Sequence, residues 1–149
     1  MITRKETTLV LFTAFVTAGI VVLAQPVKPV LGSAVFDWNK IEVKATKSGE
    51  RRQFFQAPTA TLDELECHVT TLNKGETAHA PHQHAEEELI VVKEGWLEVV
   101  QGDVTNRVGV GSVIFHAANI RHGMRNAGEG VASYHVFKWA SPGMKPAPK

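Results

Sequence analysis

From Val35 onward, apolar and polar residues fall into short alternating or continuous runs, broken by turn residues. Ile41–Ala45 and Arg51–Gln56 flank Lys47-Ser48-Gly49-Glu50, the pattern of a hairpin. Leu65–Leu72 is rich in β-branched residues and closes at Asn73-Lys74-Gly75. Glu88–Lys93 runs to Gly95, Trp96–Gln101 to Gly102-Asp103, and Val104–Val108 to Gly109-Val110-Gly111. Ser112–Phe115 and Val131–Trp139 complete the set. No segment keeps a helical period. The one helix candidate is a single turn at Thr61–Leu65, where Thr61 would cap with Glu64 three residues on. Many short strands separated by Gly turns predict an all-β fold, an antiparallel sandwich or barrel.

The ends of the chain break this pattern. Arg4 and Lys5 precede an uncharged run, Thr7–Ala24, with small residues at Val22 and Ala24. That succession predicts a secretory signal peptide over residues 1–24, cut before Gln25-Pro26, and a periplasmic or secreted protein. The competing reading is a retained membrane anchor. Thr13, Thr17 and Gly19 dilute the run, which is also short of the roughly 20 apolar residues of a spanning helix. No cysteine follows it, as a lipoprotein would need, and Arg4-Lys5 is not a twin arginine. Residues 25–34, with Pro26, Pro29 and Gly32, read as a linker. The folded domain is expected over 35–140, and the Pro-rich 141–149 as a disordered tail.

Composition narrows the function. A chain of 149 residues, 44% apolar, builds one domain. Sixteen Lys+Arg stand against 15 Asp+Glu, which leaves no electrostatic footprint for a nucleic acid. The lone cysteine, Cys67, excludes an internal disulfide and a Cys-based zinc cluster. Histidine is the residue type that stands out: there are seven, three of them between His79 and His84.

His82 and His84 are two apart, so on an extended chain both imidazoles leave the same face. Glu88 keeps that parity, and Ile90 and Val92 continue it as interior residues. A helix would unite His84 with Glu88 but turn His82 away, and Pro81 also argues for extended backbone. Imidazole and carboxylate donors suit a divalent Mn, Fe, Co, Ni, Cu or Zn ion.

Gly75…His82-x-His84-x-x-x-Glu88…Gly95 resembles the first motif of the cupins, and Gly111…His122-Gly-Met-Arg-Asn126 resembles the second. The resemblance implies a double-stranded β-helix, a jelly-roll barrel. It also implies that His122 joins His82, His84 and Glu88 as the fourth ligand of one divalent metal ion. Six residues rather than five separate Gly75 from His82, so the loop carrying His79 is one longer. The usual proline of the second motif is Ala117 and its usual glycine is Asn119, the residue type that best tolerates a left-handed backbone after glycine. None of these departures touches a ligand.

Cupin barrels host dioxygenases, isomerases, decarboxylases, binding proteins and sensors, so two readings stand. One is a metal-dependent oxygenase or isomerase/lyase acting on a small oxygenated molecule. The other is a non-catalytic small-ligand or metal-binding module of the cell envelope. His79, in the loop leading to His82, is the candidate acid/base or substrate-contacting group, its alternative being plain loop surface. Glu86 and Glu87 read as a solvated acidic loop, with Glu86 inward as the alternative; Arg51 and Arg52 read as surface charges, of which at most one could hold an acidic ligand inside. Of Cys67 and His68 only one can face inward, and of Tyr134 and His135 one should look into the barrel, as ordinary packing or as a pocket wall. The expected partner is a small molecule, with a membrane only if the N-terminal segment is retained, and a homodimer is left open.

Overall fold

The alternating runs fold as nine strands: β1 (Val43–Thr46), β2 (Gly49–Ala57), β3 (Glu64–Leu72), β4 (Glu87–Glu94), β5 (Trp96–Gln101), β6 (Val104–Gly109), β7 (Val113–His116), β8 (His122–Asn126) and β9 (Ala132–Ala140). This is a computed structural model, and it describes residues 28–144. The predicted signal segment 1–24 and the end of the tail, 145–149, lie outside the described residues. All strand pairings are antiparallel. A six-stranded sheet has the order β1-β2-β3-β9-β4-β7, and a three-stranded sheet the order β6-β5-β8. Strands distant in sequence lie side by side, as in a jelly roll, and the two inner faces enclose the core.

Alternation decides what that core contains. Ile90 and Val92 of β4, Leu97 and Val99 of β5, Ile114 of β7 and Tyr134 and Val136 of β9 form one buried cluster with Leu72 and Ala132. Each fully buried aliphatic side chain contributes about 1.5–3 kcal/mol relative to exposure. The cluster fills one end of the barrel, and the polar residues of the same faces fill the other.

Three features depart from the pattern read in the sequence. β8 (HGMRN) has no β-branched residue, yet it pairs with β5 over its whole length. The helical turn expected at Thr61–Leu65 does not form. The Thr59 hydroxyl caps this turn instead, accepting from the N–H groups of Thr61 and Leu62, and Glu64 is already in the ladder opposite Ala140. Thirdly, Trp38–Lys40 makes a short 3-10 helix, capped by the Asp37 carboxylate through the Asn39 N–H. Trp38 lies under Arg52 and Lys93, whose charged heads sit 4.6 and 3.4 Å from its ring centre. These contacts hold the segment before β1 against the outer face of the larger sheet.

The long connection from β3 to β4 is stitched onto β8. His82 and His122 form an antiparallel bridge, each N–H donating to the other's carbonyl at 3.0 and 2.8 Å. Thr77 bridges Arg125, and the Asn126 N–H donates to the Glu76 carbonyl. Asn126 itself is wholly buried; its amide donates to Leu72 and Gly130 carbonyls and accepts from the Gly128 N–H. Asn119 takes the left-handed conformation (φ 62°) that the motif normally gives to glycine, and its N–H donates to the His84 carbonyl.

Candidate metal centre

His82 and His84 come from the β3–β4 connection, Glu88 from β4 and His122 from β8. The structure brings all four together. The ligand-capable nitrogens of the three histidines lie within 4.8 Å of one another. Glu88 sends Oε1 to 3.4 Å from His84 Nε2 and Oε2 to 3.7 Å from His122 Nε2. The same strand parity buries Ile90 and Val92 directly beyond Glu88.

Proton positions follow from the outward sides of the rings. His84 Nδ1 lies 2.9 Å from the Glu86 carbonyl, and His122 Nδ1 lies 2.8 Å from the Ile120 carbonyl. A carbonyl only accepts, so each Nδ1 carries a proton, and in the neutral ring it is Nε2 that offers a lone pair to the interior. His122 Nε2 is buried with no hydrogen-bond partner. Two inward imidazole nitrogens and a carboxylate therefore converge on one point. That arrangement is costly to bury, and a cation resolves it. The donor set fits a borderline divalent ion, and the residues that would hold it are His82, His84, Glu88 and His122. His82 is held below the usual histidine range by burial and by His79, His122 and His84, which favours the neutral, ligating form. Burial falls from His122 through half-buried His84 to exposed His82, so the cluster opens to solvent on the His82 side.

His116 went unremarked in the sequence reading. It sits opposite Glu88 in the β4–β7 ladder, is 1% exposed, and stacks on His122 with ring centres 4.3 Å apart and planes 14° apart. Gln101 fixes it: the amide nitrogen donates to the Phe115 carbonyl at 2.6 Å and lies 3.1 Å from His116 Nδ1. Burial, with His122, His84 and His82 nearby, pushes His116 down to about 4, so it stays neutral. The signal in the sequence was its place at the end of an apolar run, in register with Glu88, which only the pairing of β4 with β7 reveals.

The cluster lines a cavity of about 300 Å³, the small end of the range for ligand sites. His79 stands at its mouth, exposed, its ring edge-on to His82 at 4.2 Å. Tyr134 is the β9 residue that forms a wall, while His135 faces outward against Phe54 and Trp38. His68 faces the cavity and Cys67 the other side of β3, yet both are buried. Burial and the Glu66 charge push the Cys67 thiol up to about 11, leaving it unreactive.

One correction concerns Arg51, expected to be a surface charge. It reaches into the cavity and pairs with Glu66, a carboxylate that also meets His68 Nδ1 at 2.8 Å and Lys138 Nζ at 3.2 Å. The cause is the pairing of β2 with β3, which sets Arg51 opposite Thr70 and Gln53 opposite His68 on the cavity side. A β-bulge between Gln53 and Phe55 then brings Gln56, of the opposite parity, to the same side. Burial alone would raise the Glu66 carboxyl. The His68 hydrogen bond and the Lys138 charge outweigh it and hold it down, at about 2. Glu86, read as solvated, is half-buried with Oε2 3.3 Å from His84 Nδ1.

Residues 68–138 match the family model of the cupin domain. Solved structures share the fold. An RmlC-like cupin from Shewanella frigidimarina is 21% identical, with 72% of this chain and 93% of that one covered and a TM-score of 0.59. The polyketide cyclase RemF from Streptomyces resistomycificus is 19% identical over 80% of this chain and 87% of its own, with a TM-score of 0.60. KdgF from Halomonas sp. is 18% identical over 70% and 94%, with a TM-score of 0.59. Comparison with curated proteins gave no match. With both motifs in place, residues 68–138 match the cupin domain, and the barrel shares its fold with solved cupins, an RmlC-like one among them.

Proposed function

We propose that this chain is an exported, metal-dependent cupin enzyme. It binds one divalent ion through His82, His84, Glu88 and His122 and acts on a small oxygenated molecule as an oxygenase or an isomerase/lyase. The observation that carries the reading is the convergence of His84 Nε2, the buried, unpartnered His122 Nε2 and the Glu88 carboxylate on one point at the cavity wall. A bound divalent ion would polarise a ligand oxygen or acidify a water. The chain's own residues do the rest: the Glu86 and Ile120 carbonyls hold the rings of His84 and His122 in orientation, and the buried aliphatic layer around Ile90 excludes water from below. His79, at the mouth, is placed to exchange a proton with a molecule entering the cavity.

Metal analysis of the purified full chain tests the site. Wild type and His68→Ala are expected to carry about one equivalent of metal per chain, and His82→Ala and His122→Ala almost none, because only the latter two remove a donor. Full occupancy in a His82→Ala/His122→Ala double variant overturns the assignment. Export rests on the Arg4–Ala24 succession, and mass spectrometry of the cell-envelope and secreted fractions decides it. A chain beginning at Gln25 supports it; an intact chain in the cytoplasm refutes it.

A further inference from the structure

The candidate metal cluster occupies only part of the cavity wall. Another part is built around Glu66, whose side chain is 4% exposed and which has more positive partners than one carboxylate needs. Arg51 Nη2 and His68 Nδ1 both meet Oε1, and Lys138 Nζ meets Oε2. A buried carboxylate is neutralised by one well-placed cation; here there are two permanent cations and an imidazole. Arg51, Lys138 and Glu66 together carry a surplus of one positive charge, on the wall of the cavity that the histidines share. The arrangement is fixed in advance. Gln53 Oε1 accepts from Arg51 Nε and Nη2 at 3.2 and 2.8 Å, while the Gln53 amide donates to the Phe55 and Cys67 carbonyls across the bulge. A guanidinium locked in this way loses little freedom when it takes up a ligand.

We infer that this wall is a carboxylate subsite. Arg51 and Lys138, oriented by Glu66, hold the monoanionic carboxylate of a small organic acid, and the acid's remaining oxygens reach toward His82, His84, Glu88 and His122. The second half of this statement rests on the proposed metal site; the first does not. The charge at this wall selects the class, because a surplus of one matches a carboxylate; Glu88, also on the cavity lining, faces His84 and His122. A phosphate dianion would leave a negative charge unpaired close to Glu66. The cavity volume of about 300 Å³ restricts the acid to a small one.

The test uses the full chain loaded with Zn(II), titrated with propionate and with its neutral isostere propionamide, and reads the Arg51 Nε–H resonance by ¹⁵N NMR. Propionate is expected to shift that resonance saturably at millimolar concentration and propionamide to leave it in place. Lys138→Gln, which leaves Glu66 paired with Arg51 and His68, should weaken propionate at least fivefold. Succinate should bind at least tenfold tighter than propionate to the Zn(II)-loaded protein and lose that advantage after chelator treatment. An Arg51 resonance that ignores propionate, or follows propionamide equally, overturns the subsite even when zinc binds. Inorganic phosphate binding more tightly than propionate overturns the carboxylate assignment. A propionate response without any zinc uptake leaves the subsite standing and removes the metal reading, so the two failures are distinguishable.

Discussion

Two carboxylates in one cavity have opposite surroundings. Glu88 faces imidazole nitrogens, and Glu66 faces permanent cations. The consequence for Glu66 can be read in the acid range. Its folded value, about 2, lies below the 4.5 of an ordinary glutamate, so its contribution to stability is complete above about pH 4.5 and is lost as pH falls through 2. Arg51 and Lys138 are partly open to water, which reduces the amount to about 2 kcal/mol. Urea titrations between pH 5 and 2 should show wild type losing that much more stability than Glu66→Gln. Equal slopes would mean that the ion pairs contribute nothing to folding. His79 gives a second expectation at this scale. His79→Ala should keep its metal but lose about 10²-fold in turnover if the residue transfers a proton, whereas unchanged kinetics would make it ordinary loop surface.

Among the elements, the β3–β4 connection and β8 form one unit, because His82 and His122 are hydrogen-bonded to each other through their backbones. Their spacing is set by a small residue. A Cβ placed on Gly123 would stand 3.0 Å from Pro81 Cγ and 3.1 Å from Pro81 Cα, so Pro81, next to His82, must give by a few tenths of an ångström. Gly123→Ala is therefore expected to weaken metal binding about 10-fold, as loss of a supporting contact does, and to cost about 1–3 kcal/mol through overpacking. Chelator competition and urea unfolding measure the two separately. Unchanged metal affinity would show that the bridge tolerates the shift. Gly95 serves a different purpose. At φ 75° its Cα faces the Val131 carbonyl, leaving a Cβ 2.4 Å from that oxygen, and this lets β4 turn directly into β5.

At the scale of the molecule, the four candidate ligands belong to three segments that meet only when both sheets have formed. Metal that binds the folded chain alone stabilises it by about 2.7 kcal/mol when free metal is 100 times Kd, a rise in Tm of roughly 10 °C for a domain of this size. Calorimetry with and without a chelator should show it for wild type and not for His122→Ala. An equal Tm in both conditions would place the metal, if any, outside the barrel. The barrel should persist without metal, since the Leu72–Ile90–Leu97 cluster packs independently of the histidines.

The sequence by itself determined the all-β class, most strand positions and the spacing that sets His82, His84 and Glu88 on one face. Those features are local, following from period-two alternation, turn residues and two motifs. It also determined that Asn119 could replace glycine, since that depends only on backbone preference. The tertiary structure alone decided the rest. β8 is a strand because β5 offers it a ladder, not because of its own composition. His116 joins the site because β4 and β7, far apart in the chain, pair with Glu88 opposite it. Arg51 faces the cavity because β2 pairs with β3 in a register that sets it opposite Thr70, and a bulge beyond Gln53 brings Gln56 to the same side. Pairing partners and bulges are properties of two strands at once, and a single sequence read along its length contains no direct record of either.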